Sequence, residues 1–179
     1  MSGILNKTKV YLCGGIENFP GQNWRESITT ELSKMGIIAL DPLDKPFINS
    51  HPEDQDIHRW LRERRAALDL QSVRDFIKVV RRQDLTMIDR SDFVIANLHP
   101  TKASYGSAEE LSFSERALKK VFIVIDGGIQ FTPYWLLAMF SEKCFYNSID
   151  DVLTELRKID NGEIQMDDKY WRLFKEDLR

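Results

Sequence analysis

Residue types that carry chemistry on their own are scarce in this chain of 179 residues. Cys13 and Cys144 are its two cysteines, one in a strand-like run and one beside such a run. They form neither a disulfide framework nor a zinc spacing. His51, His58 and His99 are scattered, and no two share a helical face, which points to surface or loop positions rather than a ligand set. No apolar run approaches the roughly 20 residues that span a bilayer. Met1 to Thr8 is polar and has no signal core. The net charge is −3 and the pI about 5.7, which argues against bulk attraction to a nucleic acid polymer or a membrane surface. The basic run Arg59, Arg62, Arg64, Arg65 alternates with apolar and acidic residues and reads as a solvated helix face. The turn Cys13-Gly14-Gly15-Ile16-Glu17 lacks both G-x-G-x-x-G and a P-loop lysine, so a nucleotide cofactor is weakly supported. The expectation is a cytoplasmic protein with reduced thiols.

Alternating strand-like and helix-like segments fill the chain. Lys9 to Cys13 reads as a first strand, closed by Gly14-Gly15. Gly21 to Met35 reads as a helix, with Trp24, Ile28, Leu32 and Met35 as its apolar stripe. Ile37 to Leu40 is a short buried strand, and Pro42 to Asp56 a proline-bearing loop. Helices are expected over Ile57 to Leu70 and Ser72 to Arg90, followed by a strand over Phe93 to Leu98. A helix to Lys119, a strand over Val121 to Ile125, a helix over Pro133 to Phe140, a strand over Cys144 to Tyr146 and a helix over Ser148 to Lys158 complete the pattern. Tyr134 and Trp135 are expected in the core, and Ser148 with Asp151 resembles a capping box. Strands buried on both faces and separated by helices imply an α/β three-layer sandwich, flavodoxin-like or Rossmann-like, on a five-stranded parallel sheet. Residues 1–158 form the expected domain. Residues 159–179 form a helical tail, anchored by Tyr170, Trp171, Leu173, Phe174 and Leu178 on the core or on another subunit.

Open parallel sheets bind ligands beyond the carboxyl ends of their strands, which selects residues 13 to 21, 97 to 107 and 126 to 133. Two carboxylates lie where a solvated surface face would not put them. Asp84 lies four residues after Val80 and four before Ile88, inside the apolar stripe of its own helix. A carboxylate there must be paired, hydrogen-bonded or facing a cavity; Arg81 and Lys78 are candidate partners. Glu110 shares a helical face with Ser107, Ser114 and Ala117, small residues that leave room beside it. It could equally close a capping box with Ser107.

These residues carry a resemblance to the nucleoside 2-deoxyribosyltransferase family. Val10-Tyr11-Leu12-Cys13-Gly14-Gly15 resembles its first strand and glycine turn. Gln83-Asp84-Leu85-Thr86-Met87-Ile88 with Ser91-Asp92-Phe93-Val94-Ile95-Ala96 resembles its central aspartate block. Gly106-Ser107-Ala108-Glu109-Glu110-Leu111-Ser112-Phe113-Ser114 is similar to its glutamate motif. The resemblance implies that Glu110 attacks C1′ of a deoxyribose, that Asp84 assists the departing base, and that Tyr11 lies near the nucleophile. It implies substrate contacts from Gly14, Gly15, Ser104, Gly106 and Ser107, a small nucleoside or nucleotide as substrate, and a homo-oligomer with shared sites. No metal or organic cofactor is implied.

Ser104 stands where family transferases acting on free nucleosides usually carry an aspartate. A serine there resembles the related deoxyribonucleoside 5′-monophosphate N-glycosidases, and it removes the repulsion an aspartate would offer a phosphate. Those hydrolases follow the first strand with a serine and an arginine, where this chain has Gly15 and Glu17. Nucleoside and nucleotide both stay open, as do transfer and hydrolysis. The rival readings are a non-catalytic nucleotide-binding protein and a glycohydrolase of another N-ribosyl nucleotide.

Overall fold

A computed structural model describes residues 3–15, 24–51, 53–102, 104–167 and 169–179. Five strands, β1 (Lys9–Gly14), β2 (Ile38–Leu40), β3 (Phe93–Leu98), β4 (Lys120–Ile125) and β5 (Phe145–Tyr146), make one sheet in the order β2-β1-β3-β4-β5. Every pairing is parallel. This is the flavodoxin-like order, which decides between the two arrangements the sequence allowed. The helices are α1 (Trp24–Lys34), α2 (Gln55–Ala66), α3 (Leu70–Arg90), α4 (Tyr105–Arg116), α5 (Tyr134–Met139) and α6 (Ile149–Asp160).

Strand alternation sends neighbouring side chains to opposite faces. Val10, Leu12, Phe93, Ile95, Phe122 and Val124 pack against Ile28 and Leu32 of α1 and Val152, Leu156 and Ile159 of α6. Tyr11, Cys13, Val94, Ala96, Ile123 and Ile125 face Met87 and Ile88 of α3 and Leu111 of α4. The second face holds the chemistry. Chain direction across the sheet reverses between β1 and β3, where Gly14 lies in register with Asn97. A crevice at the carboxyl ends of those two strands is the expected ligand position of such a sheet.

Several boundaries differ from the sequence expectation, and capping explains them. The side chain of Asp54 accepts from the Ile57 amide, so α2 starts at Gln55, inside the expected loop. Asp69 caps α3 in the same way through Ser72, which draws Leu70 out of the preceding helix and, with Gln71, into α3. Leu118, with a φ of 53°, ends the turn after α4 before Lys119. The Asp151 amide donates to Ser148, the cap of α6. The expected helix start at Gly21 lies outside the described residues.

Tyr134 and Trp135 are a correction: they are exposed at 92% and 77%, not in the core. Helix α5 is a single short helix beyond β4, and it turns Leu136 and Met139 inward instead. The tail is a second correction, since beyond α6 the described residues form an extended strap with one 3-10 turn at Glu176–Leu178. Trp171 is buried 5.3 Å from the Phe93 ring and 6.2 Å from that of Phe122. Leu173 packs on the same cluster, whereas Phe174 and Leu178 are exposed. The Arg179 guanidinium donates to the carbonyls of Ile4 (2.7 Å) and Asn6 (2.8 Å), fastening the strap to the N-terminal segment. No helix among the described residues is long and apolar enough to cross a membrane.

Candidate active site

Helix α3 buries Val80, Asp84, Met87 and Ile88, so the stripe that singled out Asp84 is real and the residue is 8% exposed. Its partner is neither Arg81 nor Lys78. Lys45, from the loop after β2, places its Nζ 2.6 Å from Asp84 Oδ1. The same ammonium donates to Glu53 Oε1 at 2.5 Å and to the Pro42 carbonyl at 2.8 Å. Arg81 instead forms a two-bonded pair with Glu109, bridging α3 to α4. Burial raises the Asp84 pKa to about 6; the hydrogen bond and charge of Lys45 oppose the rise, and Glu53 adds to it.

Helix α4 settles the capping question. Ser104, in extended backbone, accepts from the Ser107 amide at 3.3 Å and is the cap, so Glu110 lies a turn too far along the helix to serve as one. The buried face of α4 is Ser107, Leu111 and Ser114. These serines let the helix sit close on β1, with Cys13 Sγ 4.0 Å from the Ser107 carbonyl. Glu110 is left half-buried beside Cys13 and Tyr11. Burial raises its pKa to about 7; the Cys13 thiol opposes this, Asp84 adds to it, and Tyr11 and Arg25 oppose it.

Tyr11 is completely buried beneath Glu110. Its hydroxyl makes no hydrogen bond of normal geometry, and burial, Glu110 and Asp84 push its pKa well above the usual phenol value. It does not line the cavity, so it supports the carboxylate from below. Gly14 and Gly15 do line it. A Cβ on Gly14 would lie 2.6 Å from the Asn97 carbonyl, so the turn needs glycine there. Arg25 of α1 donates to the Gly14 carbonyl at 2.9 Å, sits 3.5 Å from Asp41 Oδ1 and stacks on Trp24.

Between α2, α3 and the first turns of α4 lies a cavity of about 520 Å³. Asp84, Glu110, Ser104, Gly106 and Ser107 line it, joined by Glu53 and by His58 and Lys102. Ile57 and Leu61 of α2 with Phe76, Ile77, Val80 and Leu85 of α3 form an apolar wall. The stretch 43 to 72 therefore supplies one side of the cavity, and His58 is a lining residue rather than a surface one. Glu17 lies outside the described residues. Among the described residues no three His, Cys, Asp or Glu side chains converge as a metal-ligand set. Sequence reasoning missed Arg25, Lys45 and Glu53. Arg25 had a signal, since it precedes Ile28 by three and Leu32 by seven and is buried with them. Lys45 and Glu53 lie in a loop without period and gave none. The arrangement is a buried carboxylate and a half-buried one, both with raised pKa, lining one cavity with an apolar wall.

The family model for Nucleoside 2-deoxyribosyltransferase matches residues 10–132, more than half of the chain and all of the cavity lining. The protein belongs to the nucleoside 2-deoxyribosyltransferase family, whose members act on small nucleoside or nucleotide substrates. Among solved structures it is similar to a 2-deoxyribosyltransferase from Bacillus psychrosaccharolyticus, with 16% identity, a TM-score of 0.56, and coverage of 82% of this chain and 90% of that one. A CMP N-glycosidase from Clostridium botulinum aligns at 15% identity and a TM-score of 0.49, over 84% of this chain and 98% of that one. At 16% identity the likeness to the first of these is one of fold. No curated protein matches the chain by sequence.

Proposed function

We propose that the protein cleaves the N-glycosidic bond of a 2′-deoxyribonucleoside or its 5′-monophosphate through a covalent deoxyribosyl–Glu110 intermediate. The observation that carries this reading is the coupled pair Glu110 and Asp84 on facing helices of one cavity. Glu110 attacks C1′, the electron pair of the C1′–N bond passes to the base, and Asp84 donates a proton to it. A second base or water then attacks C1′, Asp84 takes up its proton, and the Glu110 carboxylate departs, with net retention. One carboxyl group must be ionised and the other protonated. Burial raises both groups towards neutrality, Glu110 to about 7 and Asp84 to about 6. Positive charge growing at C1′ favours an ionised Glu110, with the proton held on Asp84. The apolar wall suits the base. Ser104 Oγ uses a lone pair on the Ser107 amide and keeps its hydrogen for the 5′ end of the sugar.

The exposed face of Phe131, Tyr134, Trp135 and Leu137, beyond the end of β4, is the surface on which we place a second copy of the chain. Base release, followed by chromatography with deoxynucleosides and deoxynucleoside monophosphates, each with and without a second free base, tests the reaction. Free base from monophosphates alone identifies a nucleotide glycosidase. A new nucleoside formed only with the second base identifies a transferase. Ligand binding without base release contradicts the proposal, as does a Glu110→Ala variant with near-normal turnover.

A further inference from the structure

The loop after β2 sends Lys45 inward, where its side chain is 1% exposed. Its three acceptors, Asp84, Glu53 and the Pro42 carbonyl, match the three protons of an ammonium. Nothing remains for a ligand, so Lys45 acts through the groups it holds. One oxygen of Asp84 is bound to it, which leaves the other for the cavity. Glu53 lies on the same ammonium and lines the same cavity. Two carboxylates thus share a single cation.

We infer that Lys45 and Glu53 are positioning residues for Asp84: Lys45 fixes which carboxylate oxygen faces the base, and Glu53 withdraws part of the cation's charge so that Asp84 keeps an exchangeable proton. This inference rests on the proton-transfer role proposed for Asp84. The other groups facing Asp84 are Glu110 from α4 and Tyr11 from β1; the Arg81–Glu109 pair and His58 line the cavity farther round. Lys45 lowers the Asp84 pKa and Glu53 raises it, so removing one or the other should act in opposite directions.

The test is the pH profile of kcat/KM for base release in wild type, Lys45→Met and Glu53→Gln. Lys45→Met should displace the profile to higher pH and Glu53→Gln to lower pH, each by on the order of one pH unit. Lys45→Met should also lower kcat by roughly a hundredfold while KM changes little, because Asp84 loses its fixed orientation. Glu53→Gln keeps an oxygen acceptor for Nζ, so it carries the test by itself if Lys45→Met does not fold. A purely structural role predicts lower melting temperatures with unmoved profiles, and that result overturns the inference. Glu110→Ala, assayed alongside, separates the two failures. An active Glu110→Ala enzyme refutes the double displacement, whereas an inactive one combined with unmoved profiles refutes the roles of Lys45 and Glu53 alone.

Discussion

Glu110→Gln should stabilise the protein at mildly alkaline pH while abolishing turnover. Glutamine keeps the shape of the side chain and does not titrate. Burial, with Asp84 adding to it, lifts the Glu110 pKa from 4.5 to about 7 in the folded protein. A folded-state value above the unfolded one means that the group's stabilising contribution is complete below pH 4.5 and is lost as pH rises through 7. The gap of 2.5 units, 7 less 4.5, corresponds to roughly 3 kcal/mol at about 1.36 kcal/mol per unit. Glu110 is only half-buried, which reduces this to about 2 kcal/mol in solution. For a chain of this length that is a rise in Tm of about 4–8 °C. Thermal unfolding followed by circular dichroism at about pH 8 and about pH 5 reads the effect, which should shrink below about 1 kcal/mol at the lower pH. Equal Tm values at the higher pH, or a gain that is the same at both, would refute the electrostatic reasoning.

Other substitutions probe the supports of the site. Arg25→Met removes the hydrogen bond to the Gly14 carbonyl and a positive charge that holds the Glu110 pKa down. It should cost roughly 2–3 kcal/mol in thermal unfolding and displace the pH profile of activity upward. Trp171→Ala should cost about 3–5 kcal/mol in denaturant unfolding, because the strap loses its buried anchor against Phe93 and Phe122. Trp135→Glu puts a charge on the exposed face of α5 and should convert an assembled wild type to monomer in sedimentation without lowering Tm; identical sedimentation would remove that face as the contact.

The parts of the site visible in sequence were those written in periodicity. Asp84 was conspicuous because Val80 and Ile88 bracket it at helical spacing, and a charge in an apolar stripe needs a reason. Arg25 sits in the stripe of α1 by the same logic, beside the half-buried Trp24. The role of Ser104 as cap, and with it the release of Glu110 from that duty, needed the backbone, since Ser104 and Ser107 are equally good capping residues in sequence. Lys45 was illegible, because its burial depends on the fold bringing it against a residue 39 positions away. Tyr134 and Trp135 were misplaced because α5 has six residues, too few for a period to tell its inner face from its outer one. The parallel sheet followed from strands that alternate with helices, but its order needed the backbone, and the edges of α2 and α3 were set by the caps Asp54 and Asp69.

Acid quenching during turnover with the substrate that releases base, followed by proteolysis and mass spectrometry, reads whether Glu110 becomes covalently attached to the sugar. A deoxyribosyl group, or its 5′-phosphate, is expected on the peptide that carries Glu110 and absent from Glu110→Gln. Turnover at the wild-type rate with an unmodified Glu110 peptide, or the sugar found on another residue, would refute the covalent intermediate.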